Sequence, residues 1–425
     1  MPNYPNLPGV SIEVLQGQMT LKPQDSASRV LIIGNVPAGV KAPEEPVLVT
    51  SVSTIRDTFG GFIVGGEPNQ LALEWKAVTQ ESKARVYLLA LKGATDKEKF
   101  VNLYEDLFTY LVDFEIDHIL LTGMYAGQTI TGITAEDFEV DETKEAFPNL
   151  AGVEKVGEAY TANPALMLAV YAEQQSLELH ETIAYIGVEP VKGTSIRDIA
   201  GHVKKLVAQD NEYSHYLQVV AGPETSVTVE GSIRAQWTSG VGSYAGLVLG
   251  LLPQNAPTNQ KLKGYTSLRY MFSLRQLDQL VGKKYVTFNA KRGNIVVVDG
   301  VTTAPDLMIQ GETQKSDFTR LSTLRITNYM TNAIRNVCEP FIGLPTEGPL
   351  YTSLNSAIKS EITGAIEAGI IQDARFQVYM GESFDTAQIE LTILPQFEMR
   401  TINVVIGLSD PVTFAQGSTT ETETP

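Results

Sequence analysis

Residues 272–343 read FSLRQLDQLVGKKYVTFNAKRGNIVVVDGVTTAPDLMIQGETQKSDFTRLSTLRITNYMTNAIRNVCEPFIG, and the rest of the chain is organised around them. The stretch opens with a capped helix: Ser273 at the N-cap, Gln276 three residues on, Leu277 and Leu280 on one face, Gly282 as the stop. Strands follow at 285–289 and 294–299, joined by Ala290-Lys291-Arg292-Gly293, a loop suited to a hairpin. A polar loop leads to a long helix starting near Ser316 and Asp317. Phe318, Leu321, Met330, Ala333, Ile334 and Val337 recur along it at helical spacing, and Arg320, Arg325 and Arg335 fall on its other face. This is a framework that needs a partner surface; nothing in it resembles a reaction centre.

Downstream, Leu350, Leu354, Ala357, Ile358, Ile362, Ala365 and Ile366 make the stripe of a second long helix that stops at Gly369. The chain then turns to strand at 376–380 and 388–394. After Pro395 the alternation changes phase, with Phe397 and Met399 on one parity and Ile402, Val404, Ile406 and Leu408 on the other, as at a bulge or a change of sheet. Residues 410–425 are a Ser/Thr/Glu tail expected to be disordered.

Upstream, 252–260 is a Pro/Asn-rich connector and an expected domain boundary. Before it, strands at 29–33, 47–50, 84–91, 118–122, 182–188 and 216–221 alternate with helices at 69–81, 98–112, 164–176 and 195–208. Ile196, Ile199, Val203 and Leu206 are expected inward on the last helix. Such alternation predicts an α/β layer arrangement. Glu136, Asp137, Glu139, Asp141, Glu142 and Glu145 crowd one short segment, read as a solvated loop because the glycine of a calcium-binding loop is missing. Residues 1–27 form an arm whose early prolines forbid a helix. In it Val10, Ile12 and Val14 alternate as a strand, either an edge strand of its own domain or one donated to a neighbour.

A chain of 425 residues is long enough for two or three domains. Its net charge of −17 argues against general nucleic-acid binding and against docking on anionic membranes. The one cysteine, Cys338, excludes an internal disulfide and reads as a small buried side chain. No apolar run reaches the ~20 residues of a membrane span. Met1-Pro2-Asn3-Tyr4-Pro5 lacks a signal-peptide pattern, so synthesis in the cytoplasm is expected.

No catalytic constellation emerges. Gly34 to Gly39 follows an apolar strand, yet Gly39 precedes Val40-Lys41-Ala42 where a P-loop needs Lys-Ser/Thr, and Val36 stands where a dinucleotide fingerprint needs glycine. His118, His180, His202 and His215 are scattered without zinc spacing, and neither Ser239 nor Ser243 lies in Gly-x-Ser-x-Gly. No catalytic residue, cofactor or metal site is expected.

Taken in order, several motifs resemble the contractile-tail sheath proteins of phages and phage-tail-like bacteriocins. Pro8-Gly9-Val10-Ser11-Ile12-Glu13 resembles the family's opening, and residues 29–37 its first core strand and turn. Pro46-Val47-Leu48-Val49-Thr50-Ser51 through Phe59-Gly60-Gly61 resembles a further segment. Leu277-Asp278-Gln279-Leu280, the hairpin to Val298 and the helix from Phe318 resemble its C-terminal framework. Asp299-Gly300-Val301-Thr302 departs from the Gly-Ala-Arg-Thr of many relatives.

The resemblance implies a multidomain α/β and α+β protein. Its parts are an arm at 1–27, an outer α/β domain at 28–255, a sheath-core domain at 256–409 and a tail at 410–425. It implies a non-enzymatic subunit of a virion tail, made and assembled in the host bacterial cytoplasm. Its partners are further copies of itself in a helical homopolymer, the inner tail tube protein, and baseplate and tail terminator proteins. Strand exchange between subunits falls to Val10, Ile12 and Val14 at one end and Ile402, Val404 and Ile406 at the other. Arg320, Arg325, Arg335 and Lys359 are the candidates for facing the tube. The alternatives are a terminator or baseplate part, or a nucleotide-binding α/β enzyme.

Overall fold

The computed structural model describes residues 28–138, 150–156, 159–178, 180–230, 232, 234–264, 267–309, 311–344, 348–380 and 386–399. Val10, Ile12, Val14, Ile402, Val404, Ile406, the tail and most of the acidic segment therefore lie outside the described residues.

An eight-stranded sheet runs through the centre. Its strands are β1 Arg29–Gly34, β2 Val47–Leu48, β3 Arg85–Ala90, β4 His118–Ala126, β5 Ile183–Val188, β6 Leu217–Gly222, β7 Tyr285–Lys291 and β8 Asn294–Val297. Their spatial order is β8-β7-β6-β5-β4-β1-β3-β2. The six inner strands are parallel, and β8 and β2 join antiparallel at the edges. Parallel strands covered on both faces read as unbroken apolar runs. Val30 to Ile33 of β1 follow that rule, and β5 and β6 are buried along their whole length.

Nine helices accompany the sheet among the described residues: α1 Val52–Phe59, α2 Gln70–Glu81, α3 Asp96–Glu105, α4 Pro164–Glu178, α5 Ile196–Val207, α6 Val241–Leu249, α7 Leu274–Gly282, α8 Leu321–Cys338 and α9 Gly348–Glu367. The capping box at Ser273 and Gln276 forms, with the Ser273 side chain accepting the Gln276 N–H and the Gln276 side chain accepting the Ser273 N–H. Helix α2 packs on β1 and β3, α6 on β4 and β5, and α4 on β4, β5 and β6.

Helix α6 has no counterpart in the sequence reading, because its glycines carry no periodic signal. They serve close packing on α2 instead. A Cβ on Gly242 would lie 2.5 Å from Glu74 Oε2, and one on Gly246 would lie 2.8 Å from the Val78 carbonyl. Glu74 caps the start of α6. Its Oε1 accepts the Ser239 N–H at 3.0 Å and the Ser239 hydroxyl at 2.6 Å, and its Oε2 accepts the Gly242 N–H at 2.8 Å. Burial pushes this carboxyl above its usual range, and the three donors oppose that shift.

Three expectations differ from the structure and a fourth holds in part. Ile196 is 87% exposed: it opens α5 directly after its cap Ser195, while Ile199, Val203 and Leu206 point inward. The helix expected over 98–112 is α3 followed by a π-helical turn at Asp106–Tyr110. Helix α7 does end at Gly282, but the left-handed residue that turns the chain is Lys284, with φ of 63°. That conformation is held because the Lys284 ammonium is buried beside Glu212, Asp306 and the Ala304 carbonyl, and Asn211 Nδ2 donates to the carbonyls of Lys283 and Lys284. The connector at 252–260 does not end the sheet. Its far end lies along β8, with the Asn259 N–H on the Val297 carbonyl at 2.9 Å and the Val297 N–H on the Gln260 carbonyl at 3.0 Å. The hairpin β7–β8 then extends the sheet already built by 29–222, and one buried cluster takes in residues from Val30 to Ile393.

A methyl group placed between α2 and α6 should be disruptive. Gly246→Ala is expected to destabilise the chain by about 1–3 kcal/mol in urea unfolding, through overpacking. Gly282→Ala, with nothing within 4 Å of its Cβ position, should be neutral or raise stability by up to about 1 kcal/mol. Equal stability of the Gly246→Ala variant and the parent would contradict the close packing.

Candidate assembly surface

After α9 the chain enters a hairpin of β9 Ile371–Met380 and β10 Ala387–Pro395. The turn into it is made by Gly369 at φ 67°, whose N–H bonds the Ile366 carbonyl at 2.9 Å. The register pairs Ala374 with Ile393, Phe376 with Leu391 and Val378 with Ile389, which puts these six apolar side chains on one face, while Leu394, opposite Asp373, is exposed. That face packs towards the core and α9, while Arg375, Gln377, Gln388 and Glu390 are exposed on the other.

A two-stranded sheet is marginal alone. Neither outer edge of this one pairs with another described strand. The large sheet manages its edges differently: β2 is two residues long, and β8 is lined by 259–262. Apart from a register shift between Ile371 and Asp373, the hairpin's edges carry no such device among the described residues.

The four candidate cations sit in different surroundings. Arg320 precedes α8 in extended backbone, bridges to Val301, and borders a cleft of about 1050 Å³ between the end of the hairpin and the body. Its charge acts on Glu398, which accepts the Ser322 hydroxyl at 3.3 Å. Arg325 points inward. Its guanidinium donates to the Leu251 carbonyl at 2.5 Å and the Leu252 carbonyl at 3.1 Å, just past the carbonyl end of α6. Burial pulls its pKa down to about 10, opposed by Tyr185 and Tyr244. Arg335 donates to Glu181 Oε1 at 3.0 Å, and the two side chains are 12% and 3% exposed. Lys359 lies exposed on α9, among Thr352, Ser353, Asn355, Ser356 and Ser360. Buried Leu354, Ile358, Ile362 and Ala365 line the other side of that helix, and Ile366 is 38% exposed.

A signal for the inward arginines is present in the sequence. The eighteen residues of α8 hold only two charges, Arg325 and Arg335. A helix that poor in charge is covered on most sides, so its arginines need partners inside.

His118 Nδ1 lies 2.9 Å from the Tyr185 hydroxyl, and burial pulls its pKa down to about 4. His215 stacks on Phe318. Cys338 is buried, and burial pushes its thiol up to about 11. The topological switch point, where open α/β sheets hold ligands, falls between β1 and β4. Asn35 fills it: its Nδ2 donates to the Gly123 carbonyl at 3.4 Å, and a Cβ on Gly123 would lie 2.2 Å from that nitrogen.

Neither a protein-family model nor a curated protein matches the sequence. Solved structures match along nearly its whole length. A chain of the 6-fold symmetrised baseplate of the anti-feeding prophage aligns over 95% of this chain and 99% of its own, with a TM-score of 0.61 and 14% identity. The contracted helical sheath of the same prophage aligns over 96% and 99%, with a TM-score of 0.58 and 14% identity. The sheath tail protein of Desulfitobacterium hafniense aligns over 92% and 98%, with a TM-score of 0.57 and 9% identity. The chain has the fold of contractile-tail sheath proteins.

The environments separate the cations experimentally. Arg335→Ala leaves Glu181 buried without its guanidinium and is expected to destabilise the fold by about 3–5 kcal/mol. Lys359→Ala should stay within about 0.5 kcal/mol of the parent. Matching denaturation midpoints for the two variants would refute the assignment of Arg335 to the interior.

Proposed function

We propose that this chain is a structural subunit of a contractile tail sheath. The observation that carries the reading is likeness over 96% of this chain and 99% of a subunit of a contracted helical sheath. A shared domain would leave parts of one chain unmatched; here almost nothing is left over in either. In this reading subunits stack around an inner tail tube, bind baseplate and terminator proteins at the ends, and drive the tube through a cell envelope on contraction. The work comes from enlarging buried interfaces between subunits, with no nucleotide hydrolysis.

The linkage between subunits is strand addition at the hairpin β9–β10. Its support is the contrast between the protected edges of the large sheet and the edges of this hairpin, which pair with no other described strand. Val10, Ile12 and Val14 of one copy and Ile402, Val404 and Ile406 of another supply the added strands. The α/β body, hairpin β7–β8 included, faces outward. Helices α8 and α9 and the hairpin β9–β10 face the tube, with Lys359 and Arg320 as the cations best placed to meet it.

Negative-stain electron microscopy of the full chain over a concentration series tests the reading. Hollow tubes with a helical surface lattice are expected, and single closed rings would move the assignment to a terminator or baseplate part. Discrete small particles that stay discrete when an inner tube protein is added would refute both. Deleting 1–20 or 400–425 should leave a folded subunit that forms no tubes; normal tubes from either truncation would refute strand addition. Lys359→Glu should keep its stability yet co-sediment less with the tube protein, and unchanged co-sedimentation would remove Lys359 from the tube contact.

A further inference from the structure

Asp117 immediately precedes β4, and the beginnings of three neighbouring strands converge on it. Its N–H donates to the Arg29 carbonyl at 3.1 Å, and its own carbonyl accepts the Ile183 N–H at 3.0 Å. Its Oδ2 accepts the Arg29 N–H at 2.5 Å, and its Oδ1 lies 2.6 Å from His180 Nε2. The Arg29 guanidinium pairs with Glu115. The residue after His180 is Glu181, which holds Arg335 of α8. The dipeptide His180-Glu181 thus grips two elements far apart in sequence. Through Asp117 it holds the first residue of β1, and through Arg335 it holds the C-terminal half of α8.

We propose that His180 and Asp117 form a pH-sensitive latch that fixes the start of β1 to the turn that holds α8. With the imidazole charged, Nε2–H donates to a carboxylate with charge assistance. Once the ring is neutral, Nε2–H can still donate to the carboxylate, but the attraction between two opposite charges is gone and the contact is weaker. The groups facing the imidazole favour its charge: Asp117 by contact, Glu181 and Glu115 by proximity. Arg29 and Arg335 are engaged by Glu115 and Glu181. His118, one residue beyond Asp117, stays neutral on the Tyr185 hydroxyl and adds little competing charge.

Burial pulls the His180 pKa down, but the hydrogen bond and charge of Asp117 outweigh it, so the folded value lies above the ordinary 6.5. The latch is therefore complete below about pH 6.5 and is lost as pH rises through the raised value. On the acid side, burial pushes Asp117 up, and its bonds to His180 and the Arg29 N–H overcome this, leaving it below the ordinary 3.8. The carboxylate's contribution therefore survives down to that depressed value. The device opens in the alkaline direction.

Any consequence for assembly rests on the sheath reading, but the test is made on the full-length subunit before polymerisation. Hydrogen-exchange mass spectrometry, corrected for intrinsic rates, follows a peptide covering 29–34 between about pH 5.5 and 9. Protection there should fall several-fold across the neutral-to-alkaline range while a peptide covering 217–222 stays constant. His180→Arg should hold the protection to the top of the range, and His180→Gln should be low throughout. A flat profile in the parent, or a profile in His180→Arg that falls like the parent's, overturns the latch; the comparison of those two needs no folded glutamine variant. A subunit that never polymerises would sink the sheath reading and leave this result standing.

Discussion

Six parallel strands in the middle of a sheet leave neither face to water, and that constraint shapes the rest of the chain. Both faces need helices, and the helices need to come close. Helix α6 does so through Gly242 and Gly246, which let its backbone lie against α2 with no side chain between. The same crowding buries the N-terminal amides of α6, and Glu74 is drawn in to bind them. Helix α8 lies near enough that Tyr185 of β5 acts on the charge of Arg325. The arginines of α8 are thus interior groups, each matched to acceptors contributed by another part of the chain.

What was legible in the sequence was local. The capping box of α7, the apolar runs of β1, β5 and β6, and the stripes of α2, α5 and α9 each come from neighbours within a turn or two. What was not legible depends on residues far apart. Helix α6 is specified by its fit to α2, about 165 positions away, as in the bond from Ser239 to Glu74. The left-handed turn after α7 looked like a task for glycine, and Lys284 fills it because Glu212 and Asp306 hold its ammonium from elsewhere. Helical spacing placed Arg325 and Arg335 on the face opposite the apolar stripe, but spacing cannot say what covers that face. The connector at 252–260 has the composition of a boundary, and the backbone beyond it goes on to line an edge strand. Of the candidate exchange strands the structure describes none.

The likeness to sheath proteins at 9–14% identity is intelligible on these terms. Most positions in a covered parallel sheet ask only for an apolar residue of suitable size, so sequence drifts freely while the layer order stays. Among the described residues, the short motifs that do resemble the family fall on β1 and the turn after it, around α1, and on α7 and the hairpin β7–β8.

The two arginine contacts of α8 also have a mechanical meaning. They are ten residues apart, about 15 Å along the axis. One ends on a pair of carbonyls and the other on a carboxylate, both with directional geometry. Sliding the helix by one turn, about 5.4 Å, would misplace both at once. A rod pinned at two points transmits a push or a pull without changing length or register. Any displacement of α8 along its axis would therefore have to carry both contacts with it.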